Sequence, residues 1–315
     1  WRSAFKDESL WLKIGAMVQR DFGDILMHLT CHLPKNSLKQ ILRNARSAGI
    51  QNILALRGDP PIGEDKWVGK PGGLRNAVEL VRLIRQEHGD YFCIAVAGYP
   101  EVHTECWNSP DLPPSDQAID LDIRRLKEKV DAGADFIITQ FFYDVDVFFR
   151  FKERCRARGI RVPILPGYLP IQSFNAFKKF TAWCKTLVPR HIAEGLEPIR
   201  DDEDKVKAFG IREAVRVGRA LLDGKSQPNA PMMDVSNVSP TGVGGVGGGG
   251  GAAMFGASTG AETSLHFYTM NLAQAVSGIL AALGLTPQRR VRPGLEFLRR
   301  ASGQWPGSSG ARAGG

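Results

Sequence analysis

The side chains of this 315-residue chain that could do chemistry come in small clusters, each at the end of a short apolar run. His28 and Thr30 close the run 25–30, and Arg57-Gly58-Asp59 follows 52–56. Gly98-Tyr99-Pro100, with His103 just beyond, follows 92–97; Thr139-Gln140 ends 135–139, and Pro166-Gly167 follows 162–165. A carboxylate after an Arg-Gly turn projects beyond its strand, Arg57 offers charge-assisted hydrogen bonds, and Gly58 lets another group approach the backbone. Each cluster also has a plain structural reading. Asp before Pro initiates turns, so Asp59 suits a turn as well as an acid. His28 reads as a strand histidine, Arg57 as an exposed loop residue, and Tyr99 and His103 as a surface aromatic and a loop histidine. Asp122, Arg125 and Lys129, at i, i+3 and i+7, read as a solvated ion-pair ladder on a helix. Gln140 can present both a donor and an acceptor, while Phe174 and Tyr268 read as core aromatics.

These clusters need elements that bring them to one place. Residues 25–225 alternate apolar runs of strand length with helical patterns, such as Leu38, Ile41, Leu42 and Ala45, capped at Asn36 or Ser37 and stopped by Gly49. Strands are expected at 25–30, 52–56, 92–97, 135–139 and 162–165. Helices are expected between them, over about 144–158, from about 172, and as one long helix over 201–223 ended by Gly224. After a break, Leu265–Tyr268 reads as a further strand and Asn271–Leu283 as a further helix. Alternation of this kind implies parallel pairing with right-handed crossovers, an α/β fold. Polar, Gly or Pro residues at five strand ends favour a (β/α)8 TIM barrel, which gathers its site from many strand ends, over an open sheet with one switch point. No GxGxxG or GxxxxGK[ST] follows any strand.

Composition narrows the class. The chain is 43% hydrophobic with no eighteen-residue apolar run, which excludes a spanning helix within it. Its net charge of +8 divides into −2 over 226–285, +5 over 286–315 and +5 over the remaining residues, a thin excess that argues for no nucleic acid and suits a groove for an anionic cofactor. The five cysteines, Cys31, Cys93, Cys106, Cys155 and Cys184, form no CxxC and no zinc-ribbon spacing, and suit a reducing, cytoplasmic compartment. Ten of the 35 glycines fall between Gly242 and Gly260. The expected organisation is therefore the main part of the barrel over 1–225, a flexible Gly-rich insertion over 226–262, the last strand and helix over 263–285, and a disordered Arg/Gly-rich tail over 286–315.

Six stretches, in order and in register, are similar to 5,10-methylenetetrahydrofolate reductase. They are Met27–Cys31, Asn52–Pro60, Val96–His103, Leu126–Asp135, Phe136–Gln140 and His266–Asn271, and the last, with Leu272–Ala275, is most similar to fungal members. The resemblance implies FAD-dependent reduction of 5,10-methylenetetrahydrofolate to 5-methyltetrahydrofolate, with NADPH or NADH as donor, feeding methionine synthesis. It implies that Asp59 is catalytic and touches both flavin and folate. It implies cofactor contacts from His28, Arg57, Gly58, Ala77, Tyr99, His103, Asp122, Arg125 and Lys129, and folate contacts from Gln140, Phe174 and Tyr268. A homo-oligomer is implied for the intact protein, with no metal and no membrane partner.

The chain also departs from the family pattern. Its strands correspond to the family's third to eighth, and residues 1–24 cover at most part of the helix before the third. The Glu-Phe-Phe-Pro-Pro-like motif that carries the family's proton donor has no match in the sequence, so a severely impaired enzyme is expected. Asn76 precedes Ala77 where the family often has an aromatic residue. The insertion at 226–262 replaces a short link, the tail does not resemble the family's linker, and the regulatory domain of eukaryotic members is expected to be absent. Two other classes remain open on the sequence: a different flavin barrel of the proline dehydrogenase kind, and a truncated, non-catalytic barrel that acts as a binding protein.

Overall fold

The computed structural model describes residues 8–21, 23–58, 67, 72–107, 114–224, 264–269 and 273–285. Asp59, the Gly-rich segment 226–262 and the tail 286–315 lie outside the described residues. The elements run α1 (Glu8–Asp21), β1 (Leu26–Thr30), α2 (Lys35–Ser47), β2 (Asn52–Leu56), α3 (Ala77–His88), β3 (Cys93–Gly98), α4 (Asp116–Asp131) and β4 (Phe136–Phe141). They continue α5 (Val145–Ala157), β5 (Ile164–Tyr168), α6 (Phe174–Cys184), α7 (Arg190–Leu196), α8 (Glu203–Leu222), β6 (His266–Phe267) and α9 (Ala273–Ala282).

Every strand pairs in parallel with the next in sequence, in the order β1-β2-β3-β4-β5-β6. A doubly wound sheet must reverse its strand order at a switch point. This sheet never does, so it is the wall of a (β/α)8-type barrel, with six strands among the described residues. Two apolar layers follow from the two-residue period of the strands. Met27, Leu29, Ile53, Ile94, Val96 and Ile137 face outward into the large core beneath the helices. Leu54, Cys93, Ala95, Phe136 and Ile138 face inward and form a small separate cluster with Leu26, Leu56 and Leu165. Burial first, and then the charge of His28 on β1, lower the pKa of His266 on β6, so the curl brings the two outermost described strands within reach of each other.

Local chemistry fixes where the helices start. The side chains of Asn76, Ser115, Asp144, Ser173 and Asp202 each accept a backbone N–H from the first turn of α3, α4, α5, α6 and α8. The start of α2 differs from the expected cap at Asn36 or Ser37. Both residues lie inside the helix, and Pro34 precedes it without a side-chain cap. A bridge between Pro34 and Gly73, with Lys35 N–H donating to the Gly72 carbonyl, sets the entry instead. The single helix expected from about 172 is divided. α6 stops at Cys184, Lys185 turns into the left-handed region at φ 52°, and α7 begins after Pro189. The last strand is shorter than the expected 265–268, although Tyr268 N–H still donates to the Tyr168 carbonyl at 2.9 Å.

Candidate active site

The rim at the carboxyl ends of the strands collects the polar clusters. On one side stands the β3–α4 loop. Tyr99 and His103 meet edge to face at 4.6 Å, and the ammonium of Lys129, reaching up from α4, lies 5.7 Å from the Tyr99 ring and 2.6 Å from the Ala97 carbonyl. Asp122 is only 7% exposed and accepts the backbone N–H of His103. The expected solvated ladder on α4 is thus corrected: two of its three members turn inward. Burial pushes Asp122 up to about 6 against the pull of Lys129, and burial lowers Lys129 to about 8 against the pull of Asp122. Arg125 keeps an exposed body while its Nη1 donates to Cys106 Sγ at 3.2 Å. Burial holds His103 down to about 4, so the ring is neutral, and its Nδ1 accepts the Glu105 N–H at 3.1 Å. The ring proton therefore sits on Nε2.

The β2 end adds Arg57 and Gly58. Gly58 has φ 95°, a region that L side chains avoid, and a Cβ there would stand 3.3 Å from Thr30 Cβ. Arg57 is committed to Glu105, with Nη1 2.7 Å from Oε2 and 2.6 Å from Oε1, and lies 5.6 Å over the Trp67 ring. Ala77 is the first residue of α3, half-buried directly after the Asn76 cap. His28 lines the lumen on β1, open to solvent but crowded enough that burial lowers its pKa.

The opposite side of the rim carries the candidate substrate residues. Gln140 turns its Nε2 towards Cys184 Sγ at 3.8 Å and takes the Phe141 N–H on Oε1 at 3.1 Å. The hydroxyl of Tyr268 donates to the Thr139 carbonyl at 2.8 Å, so its ring, and not its hydroxyl, is what it offers to a ligand. Burial first, and then Tyr99 from one side of the rim and Cys184 from the other, push the Tyr268 pKa up. Phe174 stands further out, opening α6 with the Lys178 ammonium 6.0 Å from its ring.

A comparison of whole sequences assigns a family to a chain of this architecture. The family model of methylenetetrahydrofolate reductase matches residues 3–227. The chain belongs to the methylenetetrahydrofolate reductase family. It is 37% identical over 304 residues to methylenetetrahydrofolate reductase (NADH) 1 of Arabidopsis thaliana, covering 96% of this chain and 45% of that protein. It is 38% identical over 262 residues to methylenetetrahydrofolate reductase 2 of Saccharomyces cerevisiae, covering 83% and 36%. It is 35% identical over 269 residues to the 5,10-methylenetetrahydrofolate reductase of Escherichia coli, covering 85% and 71%. Plant and yeast reductases are about equally similar, so the fungal wording of 266–275 sets no lineage. The chain spans less than half the length of the plant and yeast relatives.

Several residues of this reductase rim escaped the sequence reading. Glu105 neutralises Arg57, Cys184 backs Gln140, and Glu101 buries its carboxyl between loops. Neither Glu carries a signal of its own in the sequence, because their partners Leu187 and Arg57 lie 86 and 48 residues away. The donors present suit FAD. Lys129 is a half-buried cation beside Asp122 with its ammonium at the rim, Gly58 leaves space where a Cβ would press on Thr30, and the neutral His103 keeps Nε2–H to donate. Arg57 reaches a diphosphate only by sharing its guanidinium with Glu105. Replacing Glu105 by Gln frees that charge and is expected to tighten FAD two- to tenfold, on the order of 1 kcal/mol for a half-exposed pair. A fluorescence titration of FAD checks this, and unchanged or weaker binding would count against Arg57 as a phosphate ligand.

Proposed function

We propose that this chain forms the flavin-binding barrel of a methylenetetrahydrofolate reductase, reducing 5,10-methylenetetrahydrofolate to 5-methyltetrahydrofolate with NADH or NADPH as donor. The observation that carries this reading is the half-buried Lys129, whose ammonium is held at the rim between Asp122, the Ala97 carbonyl and the Tyr99 ring, in a chain of this family. Bound at this rim, FAD would supply hydride transfer between the nicotinamide and the folate, whose methylene carbon gains the hydride as one of its two C–N bonds breaks and the freed nitrogen takes a proton.

The protein's own part is positioning and charge. Lys129 and Arg125 would hold the diphosphate, Asp122 would keep Lys129 charged and oriented, and Tyr99 with His103 would wall the flavin. Asp59 follows directly on Gly58, whose left-handed φ sets the direction in which the chain leaves β2. A carboxylate there would bias the flavin against its anionic reduced form and anchor the pterin. Gln140 would complete the pterin edge, with the ring faces of Tyr268 and Phe174 on either side. A cytoplasmic setting, a homo-oligomer and a place in methionine synthesis belong to the same proposal. Among the described residues no helix is long and apolar enough to cross a membrane.

Anaerobic mixing of the FAD-loaded chain with NADH, then with NADPH, tests the reading. Bleaching of the flavin is the expected result, followed on addition of methylenetetrahydrofolate by a slow return, since the sequence holds no match to the family's proton-donor motif. Asp59→Asn is expected to slow reoxidation by folate at least about tenfold while FAD stays bound. A flavin reoxidised equally well by proline-derived substrates would point to another barrel oxidoreductase.

A further inference from the structure

Glu101 lies on the β3–α4 loop between Tyr99 and His103, but its carboxyl turns away from both. Its Oε2 accepts the backbone N–H of Leu187 at 3.1 Å, from the linker that joins α6 to α7. Its Oε1 is out of contact with solvent and has no hydrogen-bond partner among the described residues. A second contact ties the same two segments, since the Lys185 ammonium lies 5.9 Å from the ring of buried Trp107. Both segments are also bent in the same unusual way. Val102, buried and β-branched, has φ 71°, and Lys185 has φ 52°; among the described residues these are the non-glycine residues with positive φ. Such conformations persist only where the surroundings enforce them. Here the enforcement is mutual, because each strained segment is held by the other.

We propose that Glu101 is a positioning residue whose buried carboxyl clasps the β3–α4 loop to the α6–α7 linker, so that the walls offered to flavin and to folate move as one. The loop carries Tyr99 and His103, and the linker follows directly on Cys184, which backs Gln140. The consequence for ligands rests on the flavin reading, whereas the clasp itself does not.

The groups facing Glu101 are Asp144, which caps α5, and Tyr143 beside it, while Lys185 on the linker is turned to Trp107. Burial first, and then the charge of Asp144, push Glu101 up to about 8, against the pull of the Leu187 N–H. A carboxyl whose closed-state pKa lies above its open-state value holds the clasp most firmly below the ordinary carboxylate range. That grip weakens as pH rises towards about 8 and stays constant above it.

Hydrogen exchange at the Leu187 amide of the flavin-free chain, corrected for the intrinsic pH dependence, tests the clasp. Protection in the wild type should fall at least about tenfold between pH 5 and 8. Glu101→Gln, which keeps an oxygen acceptor but cannot ionise, should show flat protection, and Glu101→Ala should lose protection throughout. Should the Ala variant fail to fold, the flat profile of the Gln variant against the sloping wild type decides alone. Identical profiles in wild type and Glu101→Gln would overturn the proposal. FAD titration at pH 7 adds the consequence: about a tenfold loss in Glu101→Ala and recovery in Glu101→Gln. The expected exchange pattern in a chain that takes up no FAD would remove the flavin reading and leave the clasp standing.

Discussion

Replacement of Lys129 by Met lowers FAD affinity by at least about 100-fold while leaving the fold intact. The argument is electrostatic. The ammonium sits where water is scarce, and a charge-assisted bond to phosphate there is worth about 2–5 kcal/mol when its partner is removed. A methionine of similar length keeps the apolar stem packed. In the flavin-free chain a buried cation whose pKa is lowered to about 8 costs stability at every pH below that value, and the cost declines as pH rises towards its ordinary value. The substitution therefore removes both a cost and the bond to the Ala97 carbonyl, and stability should change by less than about 1 kcal/mol. Lys129→Met should also raise the pKa of Asp122 further, since it deletes the largest influence that opposes its burial. Equal FAD affinity in the two proteins, or a collapse of stability, would show that Lys129 is a structural residue and not a phosphate ligand.

Replacing Gly167 by Ala destabilises the chain by about 3 kcal/mol and abolishes folate binding before FAD binding. A Cβ at this position would stand 2.2 Å from the Thr139 carbonyl oxygen and 2.7 Å from Tyr268 Cε2. The carbonyl belongs to the neighbouring strand β4, at the register shift between Ile138 and Phe141, where Gly167 N–H donates to Thr139 Oγ1 at 2.9 Å, so moving it disturbs that bond. The same carbonyl anchors the Tyr268 hydroxyl, so the clash reaches the substrate side of the rim directly. Chemical denaturation reads the loss of stability, and titration with 5-methyltetrahydrofolate reads the loss of the wall. A variant with wild-type stability would mean that β4 and β5 approach less closely than this geometry requires.

Much of the barrel was legible because the two-residue and 3.6-residue apolar periods are unambiguous in it. The runs that became β1, β2, β3, β4 and β5 start or end within a few residues of the expected bounds, since apolar stretches between Gly and Pro leave few alternatives. The division of 172–199 into α6, a linker and α7 was not legible, because nothing in Lys185 announces a left-handed backbone. The inward turn of Asp122 and Lys129 was equally hidden. A spacing of i and i+7 names a shared helix face but not whether that face meets solvent, and here the stripe faces the β3–α4 loop. Glu101 and Glu105 became visible only with the fold, as their partners, Leu187 and Arg57, lie 86 and 48 residues away. Asp59, the residue the sequence singled out most strongly, lies outside the described residues.

Whether a half-buried and titratable Lys129 holds FAD at this rim is tested most directly by equilibrium dialysis of FAD against the chain from pH 6.5 to 9.5. One FAD per chain is expected, with an affinity that declines above about pH 8 by up to tenfold per unit as Lys129 gives up its proton. Absence of saturable binding, or an affinity that does not change across that range, would contradict it.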